Sequence, residues 1–133
     1  MEARLRNYAS EFLSPKDILC EFDIDEKLAA GITNPEVRKN VLLIVKEAIN
    51  NIAKYSSATN AMVSLRQQNQ TILLSISDNG KGYAADNTRQ GNGFQNMHQR
   101  CRQLNGQCNI SSEQGNGVSV ACVFPLAIIS YKQ

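Results

Sequence analysis

Three polar clusters in this sequence are spaced for chemistry. Glu47, Asn51 and Lys54 fall at i, i+4 and i+7 of a helical pattern, so they share one face. At about 100° per residue, that stripe is expected opposite the middle of the helix's apolar face. A carboxylate, an amide oxygen and a cation are the groups that hold Mg²⁺ and a phosphate. Taken alone, the stripe reads as a solvated helix face. Asp78-Asn79-Gly80-Lys81-Gly82 directly follows a strand-like run. An aspartate at a strand end can accept a hydrogen bond from a purine amino group, and glycines let the backbone approach a flat ring. The same residues also make a good plain turn. Gly91-Asn92-Gly93-Phe94 leads into a helical pattern. Free N–H groups at a helix N-terminus bind phosphate, although a glycine-capped hinge would look the same.

The elements that must position these clusters follow from periodicity. Leu5, Tyr8 and Phe12 predict a helix over residues 1–13, ended by Pro15. Ile18, Cys20, Phe22 and Ile24 alternate with polar or exposed positions from Asp17 to Asp23, which predicts a half-buried strand. Asn34-Pro35-Glu36 is a helix start, with Asn as N-cap and Pro in the first turn. That helix should reach about Tyr55, with Val37, Val41, Ile44, Val45, Ala48, Ile49 and Ile52 as its apolar face. Two strands follow as a hairpin, Ala61-Val63-Leu65 and Ile72-Leu74-Ile76, joined by the polar run 67–70.

Residues 78–92 read as a long polar loop, a lid by composition. A second helix is expected from Gly93 to Leu104, with Phe94, Met97, Cys101 and Leu104 inward and Asn105-Gly106 as its C-cap. Strands over Gln107–Ser112 and Val118–Phe124, joined by Gly115-Asn116-Gly117, complete the pattern. The order predicts an α+β two-layer sandwich, with a mixed, mostly antiparallel sheet covered on one face by helices.

A chain of 133 residues with 42% hydrophobic and 20% charged residues suits one globular domain. A net charge of +2 is too balanced for a nucleic-acid footprint. The apolar runs are too short to span a bilayer, and the N-terminus lacks a signal-peptide core. No direct membrane contact is expected. The simplest placement is cytoplasmic, either as a whole chain or as a piece of a longer one. Cys20, Cys101, Cys108 and Cys122 form no C-x-x-C pair and have one histidine for company, so zinc is not expected. Buried, reduced thiols are expected instead.

The three clusters, in this order and on these elements, resemble the GHKL superfamily of ATPases, which share the Bergerat fold. Residues 47–56 look like its asparagine box, 78–82 like its first glycine box and 91–97 like its second. The wording is closest to sensor histidine kinases of the nitrate-sensor and lipid-fluidity-sensor kind, over about residues 1–125. The resemblance implies that Asn51 holds Mg²⁺ and that Glu47 is a general base or a water-mediated metal contact. Lys54 would reach a phosphate, and Tyr55 would cover the nucleotide. Asp78 would hydrogen-bond the adenine amino group, with Gly80 and Gly82 beside the base. Gly91 and Gly93 would cradle the phosphates at the end of the lid, and Phe94 would belong to the same ATP site. ATP and Mg²⁺ are the implied cofactors.

On this reading residues 1–13 end a linker helix, 14–126 form the catalytic domain and 127–133 are a tail. The phosphoacceptor histidine would sit on a dimerisation domain outside this chain, since the one histidine, His98, lies within a helix. A response regulator would be the partner of the longer protein, which could be anchored in the bacterial inner membrane. The sequence departs from the family pattern at Val118, where a threonine is usual, and at Phe94, where a leucine is usual. Ser119 or a water would have to replace the threonine hydroxyl. Two other readings stand beside this one: a stand-alone serine kinase of the anti-sigma type, and a degenerate module that binds no nucleotide.

Overall fold

In the computed structural model the described residues are 1–81, 93–113 and 115–130, without the side chains of Tyr55, Ser56, Gly93 and Glu113. Helix α1 covers Glu2–Phe12, and a 3₁₀ turn over Ser14–Lys16 ends at Asp17 with φ 58°. The expected strand is β1, Leu19–Ile24, so Asp17 caps the turn before it rather than joining the alternation. A helix that the periodicity did not reveal follows: α2, Glu26–Gly31. At six residues it is too short to show a period. Its start is nevertheless marked, because the Asp25 carboxylate accepts from Leu28 N–H at 3.1 Å.

Helix α3 is Pro35–Asn51, and the Asn34 side chain accepts from Glu36 N–H at 3.0 Å as its cap. The expected extension toward Tyr55 exists, but as a π-helical turn over Ile52–Ser56, closed by Ser57 at φ 54°. The hairpin is β2, Asn60–Gln68, and β3, Thr71–Asp78, turning at Asn69 with φ 56°. Then come α4, Gly93–Gln103, β4, Gln107–Glu113, and β5, Gly117–Pro125, with a 3₁₀ turn at Leu126–Ile128.

The five strands form one sheet in the order β1-β2-β3-β5-β4. The β1–β2 pair is parallel and the others are antiparallel. Inward positions recur every second residue: Val63 and Leu65, Ile72, Leu74 and Ile76, then Val120, Cys122 and Phe124, all essentially sealed from solvent. The α3 stripe from Val37 to Ile52 and the α4 positions Met97, Cys101 and Leu104 close over them. Burying each such side chain contributes about 1.5–3 kcal/mol, so this interface dominates stability. Ser64, Ser75, Ser77 and Ser119 alternate with the core positions, on the sheet face away from the helices. The α+β expectation of a sheet covered on one face is borne out.

Helix α1 belongs to the same core through Leu5, Ala9 and Leu13. The Arg6 guanidinium lies 4.7 Å over the Phe22 ring, and the Lys46 ammonium 5.7 Å from the Tyr8 ring. Helix α4 ends in a Schellman motif. Gly106 N–H reaches Cys101 O and Asn105 N–H reaches Arg102 O, both at 2.9 Å, with Asn105 left-handed at φ 57°.

The cysteine expectation needs correction. Cys101 of α4 and Cys122 of β5 are both sealed in the core and bonded as a disulfide, with Cα atoms 6.4 Å apart. Periodicity placed each inward but could not show that α4 lies across β5. Cys20 and Cys108 are free. Burial pushes the Cys20 thiol up to about 11, against a smaller lowering by Arg6, so it stays protonated near neutral pH. Among the described residues no helix is long and apolar enough to cross a membrane.

Candidate functional site

At one end of the sheet, α3 and its π turn, the start of α4 and the ends of β3 and β5 converge on a pocket. Its walls are Ala48, Ile52, Ile76, Met97, Val118 and Val120, with Phe94 at the mouth of α4. Two polar residues interrupt this apolar lining, Asn51 and Asp78. Each carries a buried atom with no hydrogen-bond partner: the Asn51 amide nitrogen and Asp78 Oδ2. Leaving such a group unmade costs about 1–3 kcal/mol. Two of them in one pocket mark a place where a ligand would supply the missing partners.

Asp78 is the last residue of β3. Its Oδ1 accepts from Gly80 N–H at 2.7 Å, which leaves Oδ2 for the pocket wall. Burial raises the carboxyl above the usual carboxylate range, while the amides of Gly80 and Val118 pull it back down. A second glycine sets this corner. Gly117 opens β5 at φ 81°, and a Cβ there would stand 2.0 Å from the Asp78 carbonyl oxygen. Only glycine fits a backbone this close at that angle. The sequence marked Gly117 as a turn residue, not as the neighbour of Asp78, because their meeting depends on the β3–β5 register.

Asn51 needs a correction of a different kind. The expected polar stripe opposite the apolar face does not hold for it. Asn51 is only 8% exposed and lines the pocket. It lies three residues on from Ala48, hence beside it on the helix surface, at the border of the apolar stripe. Glu47 is half-buried and Lys54, inside the π turn, is exposed. The three therefore form no common solvated stripe. The π turn at this point is itself a common device at functional sites.

Gly80 is buried beside Asp78, and Gly93 starts α4 with Phe94 half-buried after it. Gly82, Gly91 and the Tyr55 side chain lie outside the described residues, as does most of the expected lid. His98 is half-buried within α4. Ser119, a candidate replacement for the missing threonine, does not line this pocket but a neighbouring depression with Ser77 and Ser111, which Asp78 and Val118 border as well. The register alternation thus sets Ser119 apart from Val118.

Residues 36–128 match the family described as histidine kinase-, DNA gyrase B-, and HSP90-like ATPase. The sensor histidine kinase LiaS of Bacillus subtilis is 27% identical over 124 residues, which are 92% of this chain and 33% of that protein. The sensor protein VraS of Staphylococcus haemolyticus is 32% identical over 103 residues, covering 77% of this chain and 28% of that one. This chain thus spans about a third or less of the length of these two relatives. Among solved structures, the mycobacterial sensor histidine kinase MprB superposes with a TM-score of 0.69 at 17% identity, covering 94% of this chain and 93% of that one.

Proposed function

Because the chain belongs to the family of histidine kinase-, DNA gyrase B- and HSP90-like ATPases, we propose that it is the ATP-binding catalytic domain of a sensor histidine kinase. It would deliver the γ-phosphate of ATP to a histidine on a dimerisation domain that these residues do not contain. A response regulator would then receive the phosphate in the longer protein. The relatives named above are sensor proteins, which favours this reading over an anti-sigma serine kinase.

One observation carries the proposal. Asp78 Oδ2 is a buried acceptor without a partner, at the edge of an apolar pocket. An adenine ring placed between these walls would donate from its 6-amino group to that oxygen. A guanine presents a carbonyl there and would be repelled by the carboxylate. Ala48, Ile52, Met97 and Val118 would exclude water from the base, and the buried Gly80 would let the loop pass beside it. Gly82 would stand beside the base with Gly80, while Gly91 and Gly93 would cradle the phosphates. Phe94 would border the nucleotide pocket, and Tyr55 would cover the nucleotide.

Asn51 and Glu47 supply oxygen donors, which suit Mg²⁺. Among the described residues no group of three or more His, Cys, Asp or Glu could hold a metal alone, so the phosphates would complete the site. A half-turn of the Asn51 amide exchanges its nitrogen and oxygen at the pocket wall. When bound, Mg²⁺ neutralises charge on the transferring phosphoryl group. Lys54 would meet a phosphate from the exposed side, and Glu47 would orient the acceptor or a water.

Calorimetric titration with ATP and Mg²⁺, run beside GTP, tests the reading. ATP should bind saturably and GTP little. Asp78→Asn should weaken ATP by about 1–3 kcal/mol, the cost of a lost hydrogen bond in a buried site. Equal binding of both nucleotides, or an unchanged Asp78→Asn variant, would put the adenine pocket elsewhere. Asn51→Ala should abolish the tightening by Mg²⁺, and a variant that Mg²⁺ still tightens would remove Asn51 from the metal.

A further inference from the structure

Asn79 stands between the two residues that form the base corner, Asp78 and Gly80, and is itself exposed. Its side chain is fully engaged nonetheless. Oδ1 accepts from the amides of Thr59 at 3.0 Å and Asn60 at 2.9 Å. Nδ2 donates to Thr59 Oγ1 at 2.9 Å, and that hydroxyl donates onward to Asn60 Oδ1 at 2.9 Å. The backbone adds a fourth link, Asn79 N–H to Asn60 O at 3.1 Å.

The stretch so held is not neutral ground. It runs from Ser57, the left-handed residue that ends the π turn, into β2. Asn51, upstream of it at the end of α3, lines the pocket together with Asp78. Asn79 is thus the side-chain strap between the segment leaving the Asn51 helix and the strand end bearing Asp78. An exposed amide could be satisfied by water at almost no cost. Its three protein partners therefore fix geometry more than they hold the fold. Simple turn formation needs none of them, since a turn closes on its own backbone and not on residues about 20 positions away.

We propose that Asn79 is a positioning residue that sets Asp78 against the Asn51 end of α3 and thereby fixes how strictly the site demands a 6-aminopurine. The proposal rests on the nucleotide reading above. Asp78 alone would distinguish an amino group from a carbonyl. How sharply it does so depends on whether its free oxygen is held on the base plane, and the strap supplies that constraint. Small displacements of a positioned group are costly because hydrogen bonds fall off steeply with distance and angle.

The test compares ATP with inosine triphosphate, which lacks the 6-amino group, on the intact 133-residue chain well below its unfolding temperature. Asn79→Ala should lose about tenfold in ATP affinity, little in inosine triphosphate affinity, and few degrees in unfolding temperature. Thr59→Val removes only the Oγ1 partner and should give a smaller loss of the same kind. It carries the test if Asn79→Ala does not fold. In an Asp78→Asn background, Asn79→Ala should cost no further affinity, since the strap acts through the carboxylate. ATP bound as tightly as by the parent, or both nucleotides weakened in equal proportion, would overturn the proposal. A parent chain that binds neither nucleotide defeats the nucleotide reading first and the strap with it, so the two failures are told apart by the parent alone.

Discussion

The two ends of the sheet are built to different standards. At the end that holds the β2–β3 turn, polar groups find protein partners. Thr71 Oγ1 donates to Gln68 O at 2.8 Å, and Leu126 N–H reaches Gln70 O at 2.9 Å. Thr33 and Asn34 N–H both reach Ile129 O at 2.9 Å, and the α4 Schellman turn docks against β5 through Gly106. At the opposite end, Asp78 Oδ2 and the Asn51 amide nitrogen are buried and unmet, in an apolar pocket. Asn40 Oδ1 is the remaining atom of this kind among the described residues, and the other atom of that amide donates to Glu36 O at 3.0 Å. One end spends its polar groups on the fold. The other ties its corner together through Asn79 and leaves two buried groups for a ligand, at a cost in stability that binding would return.

The largest effects should come from the glycine at each end. At Gly106 a Cβ would stand 2.2 Å from Val123 O and 2.8 Å from Phe124 Cβ. Gly106→Ala should therefore lower unfolding free energy by about 2 kcal/mol, read from urea denaturation, and leave ATP affinity unchanged. Gly117→Ala adds a left-handed φ to a contact of 2.0 Å with the Asp78 carbonyl. It should cost about 3 kcal/mol and should also weaken ATP, because the displaced residue is Asp78. If Gly106→Ala weakened ATP as much as Gly117→Ala, the division of labour between the ends would collapse.

Titration of Asp78 sharpens the same contrast. Burial raises its carboxyl in the folded chain above the unfolded value. The folded state then holds that proton more tightly, so the contribution to stability is full below the unfolded value and is lost as pH rises through the folded one. Nucleotide binding has the opposite sign, because an ionised Asp78 is the better acceptor for an amino group. As pH rises from the ordinary carboxylate range through the raised folded value, stability due to this group should fall while ATP affinity rises. Asp78→Asn should flatten both slopes. Parallel slopes in the parent, measured by urea midpoint and calorimetry, would mean that Asp78 is not the acceptor.

Local signals carried most of the fold. The α3 cap at Asn34, the alternation in β2 and β3 and the Asn105-Gly106 stop were readable because each is settled within a few residues. Helix α2 escaped because six residues give no period. The Cys101–Cys122 bond and the Gly117–Asp78 contact escaped because both depend on how α4 and β3 lie against β5. Asn51 was expected on a solvated face, and it is buried in the pocket lining instead. An amide at the border of an apolar stripe looks solvated until a second helix covers it, and here the start of α4 does so. The Asn79 strap was hidden under the turn propensity of Asp-Asn-Gly, which explains the residue well enough to stop the question.

Val118 offers the smallest and most specific prediction. It sits beside Asp78 across the β3–β5 ladder, gives the carboxylate a backbone N–H and lines the pocket with its side chain. A threonine there keeps nearly the same volume and adds one donor, in the pocket where Asp78 Oδ2 has no partner. In an apolar setting that hydroxyl would be a liability, and in this one it has an acceptor waiting. Val118→Thr should lower the Asp78 carboxyl toward the usual range and shift the acid limb of ATP binding to lower pH. Affinity at neutral pH should tighten by about 1 kcal/mol or less. Ser119 is not in the lining of that pocket, because the strand alternation turns it to the sheet face it shares with Ser77 and Ser111, in a depression that Asp78 and Val118 border from their side. Ser119→Ala should therefore leave both the affinity and the acid limb where they are. Were Ser119→Ala to weaken ATP while Val118→Thr did nothing, the base would be approached from the other face of the sheet, and the finished and unfinished ends would have to be redrawn.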